Sequence, residues 1–321
     1  MNTREILAHY VDTDKVKTVL NWLEQPKCHA HISGIAGSFK SFLVSAAFIE
    51  LKRPIVYIAS NPEDARYVFQ DIHNILGKSV AMYLPSSFSK SFQPETPSNN
   101  AIQERSEILL QLKKLDKPMV LVSSIEAIAE KVIGQDNLDK NQFEINVGEI
   151  LDFDFMMEML NTYGFIREDF VYEPGQYSMR GGIIDIFSYS HELPIRVELD
   201  GRMVESIRQF DAITQLSTAD LKFSSIVPNI QDDEIAGERI SIFEYFNNET
   251  IFFGDQLNTC FATLKSHVTP EIEDLFDTDD FFKKQLTKRS GAEFGQIPHF
   301  RNIEKLSFDQ TPQKTFGKNF S

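Results

Sequence analysis

The sequence predicts an α/β fold in which a parallel-sheet domain is interrupted by a small inserted α+β module. Three observations carry this reading. Apolar runs of strand length, PIVYIAS at 54–60 and PMVLVS at 118–123, alternate with helical periodicities in the amino-terminal part of the chain. A strand buried on both faces reads as such a run, and a helix-covered parallel sheet buries it that way. After residue 128 the runs shorten and alternate, and beyond Pro228 the first pattern returns. The expected layout is 1–128 as the first half of a split α/β domain, 129–228 as the insert, and 229–321 as the second half with an extended tail.

Element by element, Ile6, Leu7, Tyr10, Val11, Val16, Val19, Leu20 and Leu23 mark one or two amphipathic helices, with Trp22 expected in packing. A strand at 29–33 and a helix at 39–51 follow. After the 54–60 strand, Asn61 is a plausible N-cap. Pro62 takes the first turn, and Glu63 and Asp64 favour the positive end of the helix dipole. A strand at 80–84, a helix at 99–115 with Ile102, Ile108, Leu109 and Leu112 inward, and the strand at 118–123 complete the first half. In the insert, strands are expected at 143–151, 167–172, 179–187 and 195–199, with a helix at 155–163. Asp200-Gly201 is a two-residue hairpin signal, and 221–227 leads out. The second half reads as a helix at 240–246, a strand at 250–254 ending at Asp255, and helices at 257–266 and 269–276. From Pro312 the chain is polar and expected to be extended.

Composition narrows the function. With 32 Lys and Arg against 47 Asp and Glu, the net charge of −15 repels phosphate backbones and disfavours DNA binding as the chain's own main task. The two cysteines, Cys28 and Cys260, lie far apart, which fits a reducing compartment. No signal-peptide core and no run of about 18 apolar residues occurs, so a cytoplasmic chain without a membrane span is expected.

Between Asn141 and Leu221 there are five arginines, Arg167, Arg180, Arg196, Arg202 and Arg208, and no lysine. Arginine presents a planar fork that pairs bidentately with carboxylates and tolerates partial desolvation better than lysine. An arginine-only segment on a small sheet suggests docking of an acidic partner. The alternative is a set of solubilising charges.

The runs EPGQYSMRGGIIDIF, PIRVELDG and ESIRQFDAITQLS resemble the small inserted domain shared by the excision-repair protein UvrB and the bacterial transcription-repair coupling factors, which binds UvrA. SNPEDARYVFQDI, VAMYLPSSF and NAIQERSEILLQL extend the resemblance towards the coupling factors over nearly the whole chain. It implies a split UvrB-like domain of degenerate P-loop, RecA-like type carrying a UvrA-binding insert. UvrA contact then falls on Arg180 and Arg196, with Arg167 and Arg202 as weaker candidates. Asp200 occupies the place of a family aromatic. Leu216 replaces a further family arginine. Arg167, Arg202 and Arg208 have a competing reading as structural partners of Asp169, Glu198 or Glu205. Removing both Arg180 and Arg196 is expected to abolish UvrA capture and leave the fold intact. The ending TPQKTFGKNFS is not a natural domain terminus, so a fragment is expected, with ATP and magnesium, RNA polymerase and DNA engaged only by absent parts of a longer protein. The resemblance also implies that the UvrA-binding face is masked until activation.

Gly34-Ile-Ala-Gly37-Ser-Phe39-Lys40-Ser41 follows the phosphate-loop pattern G-x-x-x-x-G-K-[ST] except that Phe39 stands where a glycine is needed. Asp255, at the end of TIFFG, is followed by Gln256 rather than a glutamate, so no hydrolytic acid is in place there. The loop is read as a degenerate remnant with Phe39 in the core; the alternative is a nucleotide-binding or DNA-binding repair module in which Lys40 reaches a phosphate and Ser41 a magnesium ion. Cys28-His29-Ala30-His31 lacks the companion ligands that zinc requires. The acidic runs 232–234 and 277–280 lack calcium-loop spacing. Glu173, Asp185 and Glu198 suit ion pairing with nearby arginines better than acid/base catalysis. No catalytic residue and no cofactor is expected in this chain.

Overall fold

The structure, a computed structural model, describes residues 3–77, 79–87, 99–114, 117–301 and 303–310. The tail beyond Pro312 lies outside them. By their contacts the residues form two units, one from 1–86, 115–130 and 242–321, the other from 87–114 and 131–241.

The first unit is built on seven strands in the order Glu304–Ser307, His29–Ser33, Gly291–Phe294, Ile251–Asp255, Ile55–Ala59, Val120–Ser124, Ala81–Leu84. Every pairing is parallel. The 55–59, 120–124 and 251–255 strands are buried at each position, which is why each opens on an apolar run without alternation. Helices Asp14–Glu24, Phe39–Leu51 and Pro62–Leu76 supply the covering apolar side chains. Val16, Val19, Leu20 and Leu23 join the core, and Trp22 packs partly buried against it. The cap at Asn61 is formed: its Oδ1 accepts from the Asp64 amide at 2.8 Å, a contact of about 1 kcal/mol. No helix among the described residues is long and apolar enough to cross a membrane.

The second unit carries a six-stranded sheet in the order Ser217–Leu221, Met203–Phe210, Ile195–Asp200, Ile183–Ile186, Gln176–Arg180, Ile166–Arg167. Its pairings are antiparallel except the last. One face buries Tyr177, Ile184, Ile186, Ile195, Val197 and Ile207. The helix Phe153–Thr162 contributes buried Met156, Met159 and Leu160, and the Tyr177 hydroxyl donates to Asn161 Oδ1 at 3.1 Å. Short pairs join Phe143–Asn146 with Phe223–Ile226, and Val132–Ile133 with Arg239–Ile240. The helix Asn99–Lys113 groups with this unit: Gln103 donates to the His191 carbonyl, and Tyr189 donates to Asn99 Oδ1 at 3.2 Å.

Several expected elements differ. The 240–246 helix is a short strand, Arg239–Ile240, followed by a 3-10 turn at Ile242–Tyr245. The 269–276 helix is reduced to a 3-10 turn at Glu273–Leu275. Arg239–Ile240 is drawn out of the expected helix by antiparallel pairing with Val132–Ile133. The 143–151 strand stops at Asn146, and of the expected 167–172 strand only Arg167 pairs, in the two-residue strand Ile166–Arg167. Pairing of Asp200 with Met203 places the hairpin turn on Gly201-Arg202, one residue later than expected, with Gly201 at φ +62°. The strands 291–294 and 304–307 and the helix Asp279–Thr287 were not anticipated.

Gly34 has φ +66°, and a Cβ there would meet the Phe308 carbonyl oxygen at 2.1 Å. Gly34→Ala is expected to destabilise this unit by about 2–4 kcal/mol through left-handed strain and overlap. Hydrogen exchange should show protection lost first over the adjoining 304–307 strand, and unchanged protection there would contradict the account.

Candidate functional site

The site begins with two tight hairpins. Gly181-Gly182 joins the 176–180 and 183–186 strands, pairing Arg180 with Ile183. Gly181 takes φ +60°, a conformation side chains resist. At Gly182 a Cβ would approach the Leu199 carbonyl oxygen to 2.8 Å, so the glycine pair lets the two hairpins lie close. Across the sheet, Ser178, Asp185, Arg196, Arg208 and Asp220 are successive register partners. They form one row on the face opposite the apolar one.

Asp185 departs from simple alternation. It belongs to the polar face, yet is 1% exposed. Arg196 donates to it bidentately, Nε to Oδ1 at 2.7 Å and Nη2 to Oδ2 at 2.9 Å. Arg180 Nη2 donates to the same Oδ2 at 2.5 Å. The two guanidiniums also lie over aromatic rings, Arg180 over Phe170 at 4.7 Å and Arg196 over Phe210 at 4.6 Å. Arg180 Nη1 donates to the Asp169 carbonyl at 3.2 Å, and Arg196 Nη2 reaches Gln215 Oε1 at 3.4 Å. Hydrogen bonding to Asp185 pushes the Arg196 guanidinium above the ordinary arginine value. Both side chains keep an exposed edge, 38% for Arg180 and 19% for Arg196. The clamp holds two positive charges against one negative, an arrangement suited to receiving a further carboxylate.

The structure therefore brings Arg180 and Arg196 together and leaves the other candidates apart from this clamp. Arg202 pairs with Asp152, both well exposed, and such a pair contributes about 0–1 kcal/mol. Asp152 also caps the 153–162 helix through the Asp154 and Phe155 amides. Arg208 pairs with Glu198, which also accepts from Ser206. Arg167 is exposed on the outermost strand and Asp200 is exposed beside the hairpin turn. The residues missed from sequence are Phe170 and Phe210, whose rings support the guanidiniums; Asp185, expected to pair with nearby arginines, anchors two at once. The anchor's signal is an acidic residue alternating with Ile184 and Ile186, five residues after Arg180.

At the glycine loop, the groups a phosphate would need are engaged internally. Lys40 Nζ lies 2.5 Å from Asp255 Oδ2, and Ser41 Oγ donates to Asp71 Oδ2 at 3.0 Å. The Ala36 amide donates to Gln310 Oε1 at 3.1 Å, while the Gln310 amide donates to the Gly34 carbonyl at 3.0 Å. Phe39 is buried, with ring centroids 5.4 Å from Tyr10 and 4.8 Å from Phe308. Gly37 stays at φ +58° with open space around it. A cleft of about 330 Å³ remains beside Gly34, Lys40, Asp255, Gln256 and Asn258. Of the Cys28–His31 run, His29 packs its ring 5.0 Å from Phe300. No group of three or more His, Cys, Asp or Glu suited to a metal occurs among the described residues.

Residues 143–231 match the family model described as the UvrB interaction domain. The chain is similar to the transcription-repair-coupling factor of Bacillus subtilis (strain 168), 30% identical over 217 residues, covering 68% of this chain and 18% of that protein. The coupling factor of Myxococcus xanthus is 27% identical over 201 residues, covering 61% and 17%. That of Staphylococcus aureus (strain bovine RF122 / ET3-1) is 24% identical over 278 residues, covering 86% and 22%. These matches bear out the resemblance read from the sequence. The chain spans about a fifth of the length of these curated relatives.

The clamp corrects the expectation that both arginines can be removed at no cost to the fold, because Asp185 would remain buried and uncompensated. Arg196→Ala is expected to destabilise the second unit by about 3–5 kcal/mol. Arg180→Ala, which leaves the bidentate pair intact, should cost under about 2 kcal/mol. Denaturant unfolding of the two variants checks the order, and equal losses would refute it.

Proposed function

We propose that this chain is the adaptor part of a transcription-repair coupling factor, docking UvrA on the arginine-clamped face of its inserted sheet. The observation that carries the reading is the pairing of Arg180 and Arg196 on one buried carboxylate, with exposed guanidinium edges, inside the segment that matches the UvrB interaction domain. Similarity to the coupling factors supports a role in transcription-coupled nucleotide excision repair. In that role the longer protein engages RNA polymerase stalled at DNA damage and displaces it by ATP-driven movement on DNA. This chain supplies the recruiting surface and works in the cytoplasm.

The same reading makes the chain non-catalytic. Lys40 is bound to Asp255, a loop amide is taken by Gln310, and Phe39 fills the place of the glycine that phosphate binding requires. The net charge of −15 supports protein recruitment over DNA binding.

Calorimetric titration into UvrA tests the docking. The wild-type chain is expected to bind, and Arg180→Ala should weaken binding by about 2–5 kcal/mol while the chain stays folded. Unchanged affinity would remove Arg180 from the interface, and no binding by the wild type would overturn the docking reading. Separately, millimolar ATP with magnesium is expected to leave the melting temperature unchanged. A saturable rise that Lys40→Met abolishes would establish a nucleotide site.

A further inference from the structure

We propose that Asp185 is the positioning residue of the docking face, holding Arg180 and Arg196 as a preset receptor for a carboxylate of the partner. The inference rests on the docking reading above and adds to it the residue that builds the receptor and the chemistry the receptor takes. Asp185 cannot touch a partner, because its side chain is fully buried. It acts through the two guanidiniums. Arg196 uses Nε and Nη2 on Asp185, and its Nη1 has no protein partner among the described residues. Arg180 uses Nη2 on Asp185 and Nη1 on the Asp169 carbonyl, which leaves Nε without one. The unengaged donors come from two planar groups whose directions are fixed by one anion and by the rings of Phe170 and Phe210. Two guanidiniums face the one Asp185 carboxylate, and Glu198 offsets only part of the excess from the Arg196 side. A carboxylate accepts in-plane hydrogen bonds and supplies the missing charge, so an acidic side chain is the group this edge fits.

Positioning matters because a free arginine loses much rotamer freedom when it is immobilised at an interface. Here that freedom is lost on folding. The neighbouring pair, Arg208 with Glu198, is balanced one to one and lacks the surplus.

Four forms of the full chain test this: wild type, Asp185→Asn, Arg180→Ala/Arg196→Ala, and the triple variant. Arginine Nε–H resonances are read by NMR, stability by thermal unfolding and UvrA affinity by calorimetry. Asp185→Asn is expected to remain folded, to shift and broaden the Arg196 Nε–H signal, and to lose affinity about tenfold or more. In the double-arginine background the same substitution removes an unpaired buried charge, so the triple variant should regain melting temperature without regaining binding. A purely structural Asp185 would not produce that split.

Wild-type affinity in a folded Asp185→Asn chain would overturn the proposal, as would an unmoved Arg196 Nε–H signal. A triple variant no more stable than the double would also overturn it. If the wild type fails to bind UvrA, the docking reading falls and takes the receptor role with it. The NMR result then still decides whether Asp185 holds the two forks.

Discussion

A carboxylate shut away from water must be met by hydrogen-bond donors, and Asp185 is met by two guanidiniums. The constraint reaches outward in steps. A glycine pair sets the hairpin so that Arg180 ends its strand next to Asp185. The antiparallel register places Arg196 directly opposite. Phe170 and Phe210 close over the guanidinium planes from the loops and the next strand. Each of these features is understandable alone. Together they turn a polar sheet face, which ordinarily carries independent solvated side chains, into a cooperative group in which removing one member leaves another in an unfavourable state.

A second buried carboxylate, Asp255, shows the opposite result from the same principle. Its partner is Lys40, a compact ammonium without a fork. A lysine drawn down to an acid at 2.5 Å offers little geometry to anything else. The first unit thus closes its loop by internal pairing, and the second unit keeps guanidinium edges outside. Residue type decides the difference: with arginine, one acid can anchor the group and still leave donors facing outward.

Much of the first unit is legible in sequence because its central strands open on unbroken apolar runs and its helix start at Asn61 has a complete cap signal. The strands 291–294 and 304–307 are not, since GAEF and EKLS carry no apolar run. They exist because the 29–33 strand offers both edges to be paired. Glu293 is tolerated in the buried 291–294 strand because the His299 and Phe300 amides donate to it. In the insert, the arginines as a group follow from residue identity, and so does the second hairpin to within one residue; the Gly181-Gly182 turn instead breaks the strand expected at 179–187 into two. The burial of Asp185 does not follow from residue identity, because alternation assigns that position to solvent. Its cover comes from side chains on other strands and from the Asp169 and Gln215 loops, which only tertiary folding assembles.

The pairing of the first strand has a consequence for how such a chain is made. His29–Ser33 finds neither of its neighbours until residues 291–294 and 304–307 have left the ribosome. At about 5–20 residues per second, that delay is on the order of tens of seconds. Meanwhile the strands at 55–59 and 120–124 can already associate. Nascent chains therefore carry an early apolar segment, containing Ala30 and Ile32, that waits for late arrivals. Until those strands arrive, Ala30 and Ile32 lack the two sheet neighbours that flank them in the folded chain.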